Sequence, residues 1–115
     1  MNLHYSLLKI FYLITEGHKP TQYELEIKLA GKKRQALLAT MIGITGSAGK
    51  TTAARFLYHL INGKNNDTFL SAFLNTARHI PGRICAIKRN TKYAVFEIAG
   101  NKPGAINESC QYVKP

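Results

Sequence analysis

Large apolar side chains recur at helical spacing from the start of the chain. Leu3, Leu7, Ile10, Phe11 and Ile14 fall on one face and predict a helix over residues 2–16. Gly17-His18-Lys19-Pro20 ends it. From Tyr23 to Leu29 polar and apolar positions alternate, with Tyr23, Leu25, Ile27 and Leu29 on one side. That alternation predicts a short strand, with a helix as the alternative. Gly31-Lys32-Lys33-Arg34 reads as a basic turn. Ala36 to Thr45 is the first strongly patterned core element, and its end, Ala39 to Thr45, reads as a buried strand. Glycines and Ser47 then break the pattern. Lys50 to Ile61 follows as a helix with Phe56, Leu57, Leu60 and Ile61 expected to face inward, stopped at Asn62-Gly63.

Asn65-Asn66-Asp67 reads as a turn, and Thr68 to Leu74 as a second strand. Pro81-Gly82 marks a turn, with a short helix or strand over Ile84 to Ile87. Tyr93 to Ile98 is a strand, Gly100 to Gly104 a loop, and Ala105 to Tyr112 a helix. Strands alternating with helices imply an α/β fold, a mostly parallel sheet with helices on its faces. There is no internal repeat and no low-complexity tract.

The apolar opening admits more than one use. A membrane span needs roughly 20 apolar residues, and His4, Lys9 and Glu16 crowd this stretch. A secretory signal needs a basic start and a small-residue cleavage site, and neither is visible. Docking on a neighbouring element is the plainer reading, with contact of residues 2–16 to a membrane surface as the other.

At 115 residues the chain has room for one domain with a modest core. Its net charge of +10 favours anionic partners: nucleotides, nucleic acid or an acidic membrane face. Between Ile27 and Phe96 the only acid is Asp67. Cys85 and Cys110 have no CxxC or Cys/His spacing, which argues against a zinc site and against a disulfide framework. Buried or half-buried thiols in a reducing cytoplasm fit them better.

One segment carries chemistry. Phosphate recognition needs backbone N–H groups aimed at oxygen atoms. Glycines let the backbone approach, a following helix adds its positive end, a lysine neutralises outer phosphates, and the next hydroxyl holds Mg²⁺. Gly46-Ser47-Ala48-Gly49-Lys50-Thr51-Thr52 supplies all of these between a predicted strand and a predicted helix. The general pattern G-x-x-x-x-G-K-[ST] would put glycine at position 44, where this chain has Ile44. The shorter form T-G-S-x-G-K-T-T therefore carries the reading. A surface Gly-Lys turn capping a helix is the bland alternative.

These residues resemble the ATP-binding central domain of the Mur ligases, whose own phosphate loop is shortened in the same way. A second segment, Val95-Phe96-Glu97-Ile98-Ala99-Gly100-Asn101-Lys102-Pro103-Gly104-Ala105-Ile106, is similar to that family's strand-end motif. It is most similar to one branch, in which glutamate ends a strand before a small Gly/Asn-containing turn and a Gly-x-Ile helix start. Two positions depart: the usual Gly-Ala order is Ala99-Gly100 here, and a common acid is Ala105. Tyr112-Val113-Lys114-Pro115 resembles the run that enters the next strand.

The resemblance implies a P-loop NTPase-like fold over residues 39–115, a partial ATP-binding central domain. Residues 1–38 form an apolar helix and basic connector before it. It also implies ATP and Mg²⁺ as cofactors, with Gly46, Ser47, Ala48, Gly49, Lys50, Thr51 and Thr52 on the nucleotide. Lys50 and Glu97 are its catalytic residues, and Thr51 and Glu97 its metal ligands. The activity implied is amide ligation: ATP phosphorylates a carboxylate, and an amine attacks the acyl phosphate. Peptidoglycan synthesis, folate and storage-polymer pathways all use such chemistry. The family has further metal- and substrate-contacting residues and a C-terminal domain beyond this match, so the chain is expected to be the front portion of a ligase. Another chain could supply the remainder.

Asn75 and Thr76, after the second strand, are weaker candidates for substrate or metal contact. Arg78, Arg83, Lys88, Arg89 and Lys92 suit either an anionic acceptor or a solvated basic face. Lys28, Lys32, Lys33 and Arg34 could meet nucleic acid, but no recognised module or aromatic interleaving accompanies them. His4, His18, His59 and His79 are scattered, and Phe96 and Tyr112 are expected in the core. A different small nucleotide-binding protein, a basic nucleic-acid module and an inactive remnant with an open sheet edge are the competing readings.

Overall fold

The computed structural model describes residues 3–64 and 66–115, with side chains described from Ser6 onward. The expectations that fall on Asn65 and on the side chains of Leu3 and His4 lie outside these residues. Helix α1, Leu3–Thr15, ends where expected, at Gly17 in the left-handed region. Its Leu8 and Tyr12 dock on Leu25 and Leu29, forming a small satellite core. Leu7, Ile10, Phe11, Leu13 and Ile14 stay exposed. Among the described residues no helix is long and apolar enough to cross a membrane.

The strand expected at Tyr23–Leu29 is instead part of helix α2, Gln22–Ala36, and the expected basic turn Gly31–Arg34 lies within the same helix. The local reason is a capping box. The Thr21 hydroxyl accepts from the Glu24 amide at 3.2 Å, and the Glu24 carboxylate accepts from the Thr21 amide at 2.7 Å. That backbone bond, more than any other influence, holds the Glu24 carboxyl below its usual pKa. Leu25 and Leu29 sit one helical turn apart and both face α1, while Ala30 turns to the main core. Thr21→Ala should therefore lower stability by about 1 kcal/mol. A urea titration would show it as a lower midpoint at unchanged slope.

The sheet has three parallel strands: β1, Thr40–Ile44; β2, Thr68–Ser71; and β3, Tyr93–Glu97, in the order β1-β3-β2. Thr40 pairs with Tyr93 and Ile44 with Glu97 on one side, and Thr68 with Tyr93 and Ser71 with Phe96 on the other. The expectation of a buried first strand is only half met. Met41 is buried but Thr40 and Gly43 are exposed, because β1 is an outer strand. The second strand stops at Ser71, short of the expected Leu74.

Helix α3, Lys50–Ile61, covers one face of the sheet. On the other face Met41, Ala94, Phe96 and Ile98 form the main core with Ala30 and Leu37 near the end of α2 and with two further helices. These are α4, Ile80–Cys85, and α5, Ala105–Val113. Pro81-Gly82 does not make a turn but opens α4, where the missing proline N–H costs nothing. Phe96 is fully buried, with its ring centroid 5.8 Å from that of Phe69. Tyr112 packs half-buried against this core.

The end of α2 also holds the end of α5. Arg34 donates to the carbonyls of Val113 (2.7 Å) and Lys114 (3.0 Å), which a helix end leaves without partners. Both cysteines are free thiols and half-buried, as expected. Burial, ahead of neighbouring charges, pushes the Cys85 thiol up.

Candidate functional site

Only Thr45–Gly49 connect β1 to α3, and all five residues are exposed. Such a tight return needs backbone conformations closed to ordinary side chains. Gly46 has φ 148° and Gly49 has φ 76°, the latter serving as the residue on which α3 begins. No side chain caps that helix start. The first-turn N–H groups, from Lys50, Thr51 and Thr52, thus point out of the helix end beside the loop. Lys50 folds back so that Nζ donates to the Gly46 carbonyl at 2.8 Å. Loop, helix start and ammonium group together gather positive partial and full charge at one exposed end of the sheet, which favours an anion.

Glu97 is the last residue of the central strand and is only 3% exposed. A buried carboxylate needs partners, and two side chains supply them. Thr51 Oγ1 donates to Oε2 at 2.9 Å, and Asn75 Nδ2 donates to Oε1 at 3.0 Å. Asn75 is itself tied to the chain beyond β3, its carbonyl accepting from the Ala99 amide at 2.9 Å. Thr51 and Glu97, 46 residues apart in sequence, thus meet at the mouth of the glycine loop. Asn75, a weaker candidate on sequence, completes the constellation. Its signal was a polar amide at the end of the apolar run that begins at Thr68.

Thr76 is not part of it; its hydroxyl pairs with His79 Nδ1 at 2.8 Å. Arg78 and Lys92 are engaged elsewhere, with Glu26 (3.5 Å) and Asp67 (3.6 Å). His59 is exposed and edge-on to Tyr58.

The donor set bears on a metal. Among the described residues no group of three or more His, Cys, Asp or Glu could hold one; the oxygen donors side by side at this site are the Thr51 hydroxyl and the Glu97 carboxylate. Magnesium takes oxygen ligands at about 2.0–2.1 Å in an octahedron, so adjacent ligand oxygens stand about 2.9 Å apart. Thr51 Oγ1 and Glu97 Oε2 are separated by 2.9 Å. That is the length of the hydrogen bond between them, and both are hard oxygen donors of the kind magnesium takes.

A glycine loop entering a helix and a buried strand-end glutamate against that helix's first turn are the two features through which the chain resembles the Mur ligases. Comparison with curated proteins makes the relationship plain: over most of its length this chain is Mur-ligase-like. Five curated relatives carry one name, UDP-N-acetylmuramoyl-tripeptide–D-alanyl-D-alanine ligase, which is the branch whose strand-end motif Val95 to Ile106 resembles. The Rickettsia prowazekii protein is 32% identical over 101 residues, 81% of this chain and 21% of that protein. The Borreliella burgdorferi protein is 35% identical over 74 residues, 64% of this chain and 16% of the relative. The Buchnera aphidicola (Acyrthosiphon pisum) protein is 28% identical over 88 residues, 76% of this chain and 19% of the relative. The chain thus spans about a fifth of the length of the curated relatives it matches. No family model matches the chain, and no solved structure matches it.

Proposed function

We propose that this chain is the ATP- and Mg²⁺-binding portion of a Mur-type amide ligase, with a P-loop NTPase-like arrangement around residues 39–115. The observation that carries the reading is the 2.9 Å contact between the Thr51 hydroxyl and the Glu97 carboxylate, made beside an uncapped helix start. The residues divide the work. Gly46, Ser47, Ala48 and Gly49 offer backbone N–H groups to phosphate oxygens, joined by those of Lys50, Thr51 and Thr52. Lys50 exchanges its internal bond to the Gly46 carbonyl for the outer phosphates, where its charge stabilises the transferring group. Thr51 and Glu97 are the ligands this stretch of chain would offer the metal, and Asn75 holds the Glu97 carboxylate in place. The metal, when bound, neutralises phosphate charge.

On this reading the acceptor is a carboxylate that becomes an acyl phosphate, and an amine then displaces phosphate to leave an amide. The relatives' name suggests a nucleotide-linked tripeptide as acceptor and D-alanyl-D-alanine as the amine. Calorimetry with Mg-ATP on the wild-type chain and on Lys50→Ala, with folding followed by circular dichroism, tests the site. Losing a charge-assisted contact worth about 1.5–3 kcal/mol should weaken binding by roughly 10- to 100-fold. A folded wild-type chain that ignores Mg-ATP, or a Lys50→Ala chain that binds it as well, would sink the reading. Binding governed by salt alone would point instead to a basic polyanion-binding surface.

A further inference from the structure

A second cationic feature lies at the same end of the sheet. Arg55, from α3, and Arg83, from α4, both line a cavity of 390 Å³ whose other walls are Leu70, Ala72, Phe73 and Leu74. Arg83 is anchored there. Its Nε donates to Ser71 Oγ at 3.1 Å and its Nη2 to the Leu70 carbonyl at 3.1 Å, and its guanidinium lies 5.0 Å from the Phe69 ring centroid. The Leu70 carbonyl belongs to an outer strand, so Arg83 partners a backbone group that an outer strand can leave open. Arg55 is laid over the Phe73 ring at 4.9 Å. Neither arginine makes an ion pair among the described residues, and no acid lines the cavity. Ser71, the last residue of β2, pairs with Phe96, the residue before Glu97 on β3, so the chain that lines this cavity leaves the sheet at the end where Glu97 lies.

We infer that this cavity binds a carboxylate of the peptide acceptor and so anchors the substrate beside the phosphate loop. The inference rests on the ligase reading above for the identity of that acceptor. Guanidinium groups match a planar carboxylate through N–H donors; Arg83 spends Nε and an Nη2 donor on Ser71 and Leu70 and keeps its Nη1 side for a ligand, while Arg55 lies over the Phe73 ring. Leu70, Phe73 and Leu74 suit the apolar part of a short peptide. A carboxylate clamped by two guanidinium groups is stabilised as the anion. Arg55 and Arg83 are therefore positioning residues, which hold one carboxylate while another part of the acceptor reacts.

The test uses N-acetyl-trialanine and its C-terminal amide as probes, titrated into ¹⁵N-labelled chain while the arginine Nε–H signals are followed. The acid should move the Arg55 and Arg83 signals and the amide should not. Arg55→Gln, at an exposed position, and Arg83→Lys, which keeps the charge, should each weaken binding about fivefold or more. Equal responses to acid and amide, or wild-type affinity in both folded variants, would overturn the anchor. Mg-ATP binding, measured on the same samples, should be unchanged by either substitution. Carboxylate binding without Mg-ATP binding would keep the anchor and overturn the ligase reading. Mg-ATP binding without a preference for the acid would do the reverse.

Discussion

Glu97→Gln should leave the chain folded while removing the dependence of nucleotide binding on Mg²⁺. The substitution keeps size and hydrogen-bonding capacity. A glutamine carbonyl can accept from Asn75 Nδ2 while its amide donates to the Thr51 hydroxyl, so both present partners of the carboxylate stay satisfied. What is lost is the carboxylate charge beside Thr51, in a chain of net charge +10. Metal affinity at such a site should fall by at least the 10- to 100-fold typical of lost supporting contacts. ATP titrations with and without Mg²⁺ should differ for the wild-type chain and coincide for Glu97→Gln. A variant that keeps its Mg²⁺ enhancement would remove Glu97 from the metal's ligands. Glu97→Ala is a poorer test, since it leaves the Thr51 and Asn75 donors facing a cavity with nothing to receive them.

Phe96→Ala should have the largest effect on folding. Its ring is fully buried on the central strand and packs in the main core, tilted against Phe69. Truncation to alanine costs about 3–5 kcal/mol at such positions, against a total stability of about 5–15 kcal/mol for a domain. The melting temperature should fall by on the order of 15 °C or more, with partial unfolding at room temperature. Phe56→Ala is the matched control. Phe56 is 67% exposed on the outer face of α3, and its removal should change stability by no more than about 0.5 kcal/mol. Thermal melts of the two variants side by side would decide the point. Equal losses would mean that α3 is rotated relative to the sheet.

That contrast shows where sequence pattern carries and where it stops. The phosphate loop is legible because its chemistry is local: glycines, lysine and threonine sit at fixed spacing between two elements. Glu97 is legible as a lone acid closing an apolar run. The inward face of α3 is not. Apolar pattern favours Phe56, Leu57, Leu60 and Ile61, but the observed face runs through Thr51, Ala54, Leu57, Tyr58 and Ile61. That face includes a polar contact, Thr51 to Glu97, and a small buried residue, Ala54, neither of which a pattern of large apolar side chains registers. Phe56 and Leu60 then fall on the far side, each 67% exposed.

At Tyr23–Leu29 two periods compete, and the Thr21–Glu24 capping box decides for helix. The exposure of β1 depends on strand order, which no local window contains. The roles of Asn75 and Arg83 likewise depend on neighbours more than ten residues away in sequence.

Strand order has a further consequence, for the birth of the protein. Among the described residues the first two strands do not pair with each other; each is joined to the third, which emerges after both. Thr40 must wait about fifty residues for its partner Tyr93. During synthesis the glycine loop and its helix therefore leave the ribosome with no sheet to rest on, and no strand ladder can form until the segment ending in Glu97 is out. Assembly of the scaffold and arrival of the buried carboxylate become a single late event, slow in the way that distant parallel pairings are. A nascent chain halted before residue 93 would expose its apolar strands to chaperones, and one extended past residue 113 would hold every element of this core.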